Sequence, residues 1–217
     1  MAKALLVMDV DSTLIAEEVI DLLGNFAGKG EIIAEITEAA MNGELDFGQA
    51  LEERVKLLAG LPDTIFSEVA KQVSLRTGAK DLINELHRRD YKIGLVSGGF
   101  HEIVDILAAD LGIDYVKANR LEVMDGRLSG KISGDIVTRD TKEEYLKKWA
   151  EENKLNISQT IAMGDGANDI PMILTAGLGV AFCAKKLVRE QATYQINEPN
   201  LLLLLDIIDK ELERSIK

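Results

Sequence analysis

The sequence has little with which to cross-link itself, enter a bilayer or hold nucleic acid. Its one cysteine, Cys183, rules out an internal disulfide, and the apolar neighbours Val180 to Phe182 predict a buried thiol. No apolar run approaches the roughly 18 residues of a membrane span: Ala4 to Met8 stops at Asp9, and Leu201 to Leu205 is far too short. A soluble, cytoplasmic protein with no membrane partner is expected. Cations are scarce, 25 Lys and Arg against 37 Asp and Glu, for a net charge of −12. Such a field repels a phosphate backbone, so no nucleic acid is expected, and the pairs Arg88-Arg89, Lys147-Lys148 and Lys185-Lys186 read as solvated helix faces. There are two histidines; His87 and His101 both fall beside charged residues in helical segments, and neither resembles a catalytic base.

A chain of 217 residues with 47% hydrophobic residues can bury one good core, with room for an insertion. Apolar runs at Lys3 to Met8, Lys92 to Val96, Thr160 to Met163 and Leu178 to Phe182 look like parallel strands buried on both faces. Between them lie helical spacings, such as Leu82, Ile83 and Leu86, or Ile103, Val104, Leu107 and Leu111. That alternation predicts an α/β fold with a doubly wound parallel sheet. From Glu17 to Val73 the pattern is helical throughout, with stripes at Val19, Leu22, Leu23, Phe26; Ile32, Ile33, Ile36, Ala39; Phe47, Ala50, Leu51; and Phe66, Val69, Val73. This predicts a helical cap subdomain at 15–76 inserted after the first strand, over a core of 1–14 and 77–217. Partial alternation around Asp125-Gly126 predicts a small β-hairpin over Leu121 to Ile132. Thr141 and Glu144 resemble a capping box that places Lys142 in the first turn of a helix. The run from Leu201 through Leu212 reads as a core-facing helix or a dimer surface, so a monomer or homodimer is expected; Trp149, in a stripe with Leu146, reads as core.

Two acidic clusters end two of the strands. In Asp9-Val10-Asp11-Ser12-Thr13, residues two apart in an extended chain point the same way, so two carboxylates converge. With Asp165 and Asp169 of Gly164-Asp165-Gly166-Ala167-Asn168-Asp169 they would concentrate negative charge that a cation must neutralise, and hard oxygen ligands beside a phosphate imply Mg²⁺. An isolated D-x-D would more simply cap a loop, but the pairing with G-D-G-x-N-D is more than capping requires. Ser97-Gly98-Gly99, after another strand, is either a Gly-rich anion-binding turn or an ordinary cap. Lys142 is a solvated lysine unless its helix starts beside that anion.

These four segments together resemble the haloacid dehalogenase superfamily, and more narrowly its phosphoserine phosphatases, over essentially the whole chain. The resemblance implies hydrolysis of O-phospho-L-serine to serine and phosphate, the last step of serine biosynthesis. Asp9 would attack phosphorus to form an aspartyl phosphate, while Asp11 protonates the leaving alkoxide and then activates water. Mg²⁺ would be held by the Asp9 and Asp165 carboxylates and the Asp11 backbone carbonyl, with Asp169 in support. Ser97, the Gly98 amide, Lys142 and Asn168 would hold the phosphoryl oxygens.

Arg54 carries the substrate argument. It interrupts the apolar face of Phe47, Ala50, Leu51 and Leu58, and a charge there needs a partner: a cap glutamate, water reached by snorkelling, or a substrate carboxylate gripped in bidentate fashion. By the resemblance Arg54 and Glu18 grip the serine carboxylate and amine, with Met41 and Phe47 as apolar walls or simply as cap core. The segments Ser12 to Ala16 and Arg76 to Ala79 are the expected hinges of an opening cap. Rival readings are a relative acting on another small ester such as phosphohomoserine and, from another class, a phospho-accepting receiver domain, against which the helical insertion and Asp11 speak.

Overall fold

The computed structural model describes residues 2–41 and 45–215. In chain order the elements are β1 (Ala4–Met8), α1 (Val19–Phe26), α2 (Gly30–Met41), α3 (Phe47–Lys56), α4 (Ile65–Ala70), α5 (Ala79–Arg88), β2 (Tyr91–Phe100), α6 (His101–Leu111), β3 (Tyr115–Asn119), β4 (Leu121–Met124), β5 (Arg127–Ile132), α7 (Arg139–Glu152), β6 (Thr160–Gly164), α8 (Ile170–Thr175), β7 (Leu178–Phe182), α9 (Lys186–Arg189), β8 (Tyr194–Ile196) and α10 (Leu203–Ser215). Six strands form one sheet in the order β3-β2-β1-β6-β7-β8, every pairing parallel, and β4 and β5 form a separate antiparallel hairpin. The predicted doubly wound sheet and the hairpin are both present.

The first strand shows why the sheet needs helices on both faces. All five residues of β1 are buried, and successive side chains point to opposite sides. Leu6 and Met8 pack with Leu82, Leu86, Ile103 and Leu204, whereas Leu5 and Val7 pack with Leu146, Trp149, Met172 and Ile173. After β1 the next strand is laid to one side and β6 to the other, so a crevice opens at its carboxyl end, where such sheets bind ligands.

Helices α1 to α4 pack on one another over this crevice. Val19, Leu23, Ile33, Leu51, Val55 and Val69 are buried and continuous with one of the two core layers. Phe26 and Ile32, counted in the predicted stripes, remain exposed on this small helical layer. The chain enters and leaves the insertion side by side: the Ala16 amide donates to the Ser74 carbonyl and the Arg76 amide to the Leu14 carbonyl. A second seam joins the hairpin to the segment before α4, with the Gly60 amide donating to Leu128, Leu128 to Leu61 and Asp63 to Gly126.

Four expectations need correction. The box that starts α7 is Thr138 with Thr141, their side chains and amides bonding reciprocally, so the cap lies three residues earlier than read; a Thr-x-x-Thr pair serves as well as Thr-x-x-Glu, and Lys142 still sits near the helix start. Ser97-Gly98-Gly99 is not a turn, because β2 continues to Phe100, and its ladder with β3 jumps from Val96–Lys117 to Phe100–Asn119. The intervening backbone is thereby bulged out of the ladder. Cys183 is exposed: β7 ends at Phe182, and a left-handed residue (φ 46°) turns the thiol out of the core. Lys185, read as part of a solvated pair, lines the cavity described below. Strands β3 and β8 lacked a sequence signal: Tyr115-Val116-Lys117 is only half-buried, and β8 has three residues. No helix among the described residues is long and apolar enough to cross a membrane.

Candidate active site

The parallel strands deliver their motifs to one place because their carboxyl ends share a direction. Asp9 follows β1, Ser97 to Gly99 end β2, and Asp165 follows β6. Carboxylate oxygens of Asp9, Asp165 and Asp169 lie within 4.8 Å of one another. The Lys142 ammonium, wholly buried, reaches between them, 2.5 Å from Asp9 and 2.6 Å from Asp169. Two glycines make room for this. A Cβ on Gly164 would lie 2.4 Å from the Asp169 carboxyl, and one on Gly99 would lie 2.9 Å from an Asp11 oxygen.

Asp169 is spent on this framework: one oxygen accepts a hydrogen bond from the Lys142 ammonium and the other accepts from the Asp165 and Gly166 amides, 3.1 and 3.0 Å away. Asp165, by contrast, receives only a long bond from Thr13 at 3.5 Å among the described residues. Electrostatics follows from three carboxylates facing one ammonium. Burial, with Asp169 and Asp165 added and Lys142 opposed, holds the Asp9 carboxyl well above its ordinary range. Burial, Asp169 and Glu18 push Asp165 up to about 7. Burial pulls the Lys142 pKa down, but Asp169 and Asp9 together outweigh it and hold the ammonium charged. A cluster that raises its own proton affinity in this way fits a divalent cation, which would relieve every one of these repulsions.

Asp11 is placed differently. Its side chain leans toward the end of β2, and its Oδ1 is buried with no hydrogen-bond partner among the described residues. Burial first, then Glu18, raise its carboxyl well above the usual range. The result is a carboxyl whose environment favours the protonated form beside a carboxylate cluster, a pairing that suits acid and base roles.

Above these groups lies a cavity of about 380 Å³, floored by Asp9, Asp11, Gly98, Asp165 and Asn168 and roofed by Glu18, Thr37, Leu51 and Arg54. Ser97 and Lys142 lie beneath the floor, buried. Glu18 is steered inward by the Ser12 hydroxyl, 2.7 Å away, and burial raises its carboxyl. Arg54 is 8% exposed; Nε donates to the Ala50 carbonyl and one terminal nitrogen to the Thr37 hydroxyl, at 3.1 Å each. Burial lowers its pKa, with Asp21, Glu18 and Asp11 opposing from a distance, and it makes no ion pair within 4.0 Å among the described residues. Of the predicted walls, the side chains of Met41 and Phe47 lie outside the described part of the structure. Thr37, Asp21 and Lys185 were missed. Only Lys185, just past the end of β7, carried a signal, its place at the carboxyl edge of the sheet.

The model of the haloacid dehalogenase-like hydrolase family matches residues 6–174. The chain belongs to that family. Among curated relatives of this haloacid dehalogenase-like hydrolase, the phosphoserine phosphatase of Streptococcus thermophilus is 65% identical over 208 residues, covering 96% of this chain and 97% of the relative. The phosphoserine phosphatase of Lactococcus lactis is 61% identical over 209 residues, with the same coverage. A solved phospho-aspartyl intermediate analogue of phosphoserine phosphatase superposes with a TM-score of 0.90 at 41% identity, covering 95% of this chain and 99% of that one. A substrate-bound phosphoserine phosphatase complex matches with a TM-score of 0.90 at 40% identity and the same coverage.

Proposed function

We propose that this haloacid dehalogenase-like hydrolase is a cytoplasmic phosphoserine phosphatase, in which 15–76 serve as a cap over a core of 1–14 and 77–217. The observation that carries the substrate is Arg54. A guanidinium this deeply buried, oriented by Ala50 and Thr37 yet paired with no carboxylate among the described residues, is a costly arrangement unless an anion arrives. It hangs over the floor that holds Asp9. A ligand with a phosphate at one end and a carboxylate at the other spans that gap, and Glu18 stands ready for its amine. The identities to phosphoserine phosphatases support the same reading.

In this reading Asp9 attacks phosphorus and Lys142 balances charge at its carboxylate. Ser97, the Gly98 amide and Asn168 hold the phosphoryl oxygens. Asp11 gives its proton to the departing serine oxygen and takes one from the water that later attacks the aspartyl phosphate. Mg²⁺ would be held by the free oxygens of Asp9 and Asp165 with the Asp11 carbonyl, and when bound it supplies charge neutralisation at the phosphoryl group. Asp169 stays with Lys142 and the backbone.

The test is a screen of purified protein against phosphorylated amino acids and carboxylate-free phosphate esters. Phosphoserine should be the preferred substrate; equal turnover of esters without a carboxylate would refute the assignment. Arg54→Ala should cost phosphoserine roughly 2 to 5 kcal/mol in kcat/KM, about 30-fold to several thousand-fold, and cost an ester without a carboxylate far less.

The ion can be followed without turnover. Because Asp9, Asp11 and Asp165 all have raised pKa values, the folded ion-free protein holds protons that the unfolded chain releases. Its stability should therefore fall as pH rises above the ordinary carboxyl value of 3.8, with the Asp165 contribution fading as pH passes through about 7. Saturating Mg²⁺ should flatten that slope. At 100 times its Kd the ion adds about 2.7 kcal/mol, which for a chain of this size raises Tm by roughly 5 to 10 °C. Asp165→Asn should abolish the shift in a thermal melt.

A further inference from the structure

Asn119, the last residue of β3, is 1% exposed and joins two segments that both carry site residues. Its Nδ2 donates to the Gly98 carbonyl at 2.8 Å, and its Oδ1 accepts the Val137 amide at 2.7 Å. Val137 immediately precedes Thr138, the N-cap of the helix that carries Lys142. The Gly98 carbonyl and the Gly99 amide are the two ends of one planar peptide unit, so holding one end fixes the other. The Gly99 amide in turn donates to Ser97 Oγ at 2.8 Å. With that donor in place, the Ser97 hydroxyl proton is left for another acceptor.

A Gly-Gly peptide bulged out of its ladder is among the least constrained a chain can contain, so its plane needs an outside restraint. A primary amide suits the position because it presents a donor and an acceptor at once, one to a carbonyl and one to an N–H.

We propose that Asn119 is a positioning residue for phosphoryl binding: it locks the Gly98–Gly99 peptide, and through it the Ser97 hydroxyl, to the start of the helix bearing Lys142. The proposal rests on the phosphatase reading above. It predicts that Asn119 acts on the phosphate end of the ligand and leaves the serine end alone.

The experiment compares Asn119→Asp and Asn119→Ala with the wild type. Orthophosphate affinity is measured by calorimetry with Mg²⁺ present, and L-serine affinity by product inhibition. Asn119→Asp keeps the volume and the bond to Val137 but turns an oxygen toward the Gly98 carbonyl, so orthophosphate should bind about tenfold or more weaker. L-Serine should bind within about twofold of the wild type. Asn119→Asp should be at least as impaired for phosphate as Asn119→Ala; a packing role predicts the reverse, since alanine leaves the larger hole. Unchanged phosphate affinity in Asn119→Asp, equal losses for phosphate and serine, or a milder defect in Asn119→Asp would each overturn the proposal. If Asn119→Ala does not fold, Asn119→Asp carries the test through the phosphate and serine affinities. Orthophosphate binding needs no substrate, so a wrong substrate assignment would show in the wild type and a wrong role for Asn119 only in the variants.

Discussion

Asp9→Asn should be inactive, with turnover of phosphoserine down by at least about 10³-fold, because an amide oxygen cannot serve as the attacking group that the covalent route requires. Rapid-quench trapping with labelled substrate should find the label on the wild-type protein and none on the variant. The change is nearly isosteric, but it removes a charge that the buried Lys142 ammonium faces at 2.5 Å. The variant should still fold, because Asp169 keeps the ammonium paired at 2.6 Å. A variant that retained wild-type turnover would exclude Asp9 as nucleophile and, with it, the whole arrangement around Lys142.

The second large effect is expected at Asp11. Asp11→Asn should lower kcat by about 10² to 10⁴-fold, the usual worth of a positioned acid or base. It should do so unevenly. An ester with a good leaving group, such as an aryl phosphate, needs no proton in the first step, so the variant should form the phosphoenzyme from it and then release phosphate slowly. A burst of aryl alcohol followed by a slow steady state is the expected trace. Equal slowing of both phases for aryl and alkyl esters would show that Asp11 acts on geometry rather than on protons. The buried Oδ1, without a hydrogen-bond partner among the described residues, is what singles out this carboxyl from its neighbours.

Much of this architecture was legible because it repeats a simple rule. A run such as Ala4 to Met8, apolar at every position and short, reads as a strand covered on both faces, and a charged residue right after it marks where the strand ends at the site. The helical insertion was legible for the same reason, through stripes such as Val19 and Leu23 that recur at helical spacing. What stayed hidden depends on partners distant in sequence. Asn119 looks like any polar residue before a turn until Gly98 and Val137 are seen on either side of it. Thr37 acquires meaning only from the Arg54 guanidinium 3.1 Å away. Cys183 was misread because apolar neighbours report the strand, whereas exposure was decided by one left-handed residue beyond its end. The capping box was misplaced by three residues because the local pattern fits both Thr138 and Thr141, and only the extended backbone at Thr138 decides between them.

The seam between the hairpin and the segment before α4 bears on how specificity can evolve in such a molecule. Gly60, Leu61 and Asp63 are stitched to Gly126 and Leu128 mostly through main-chain atoms, with one side-chain bond, from Arg127 to the Gly60 carbonyl, added. Backbone stitching is indifferent to side-chain identity, so the ceiling of the chamber can be re-tiled residue by residue while the height and pitch of the helix bearing Arg54 stay as they are. A lineage exploring new esters would thus draw on α2 and α3 for novelty and leave the hairpin's turn, Asp125-Gly126, untouched as the fixed mooring of the roof.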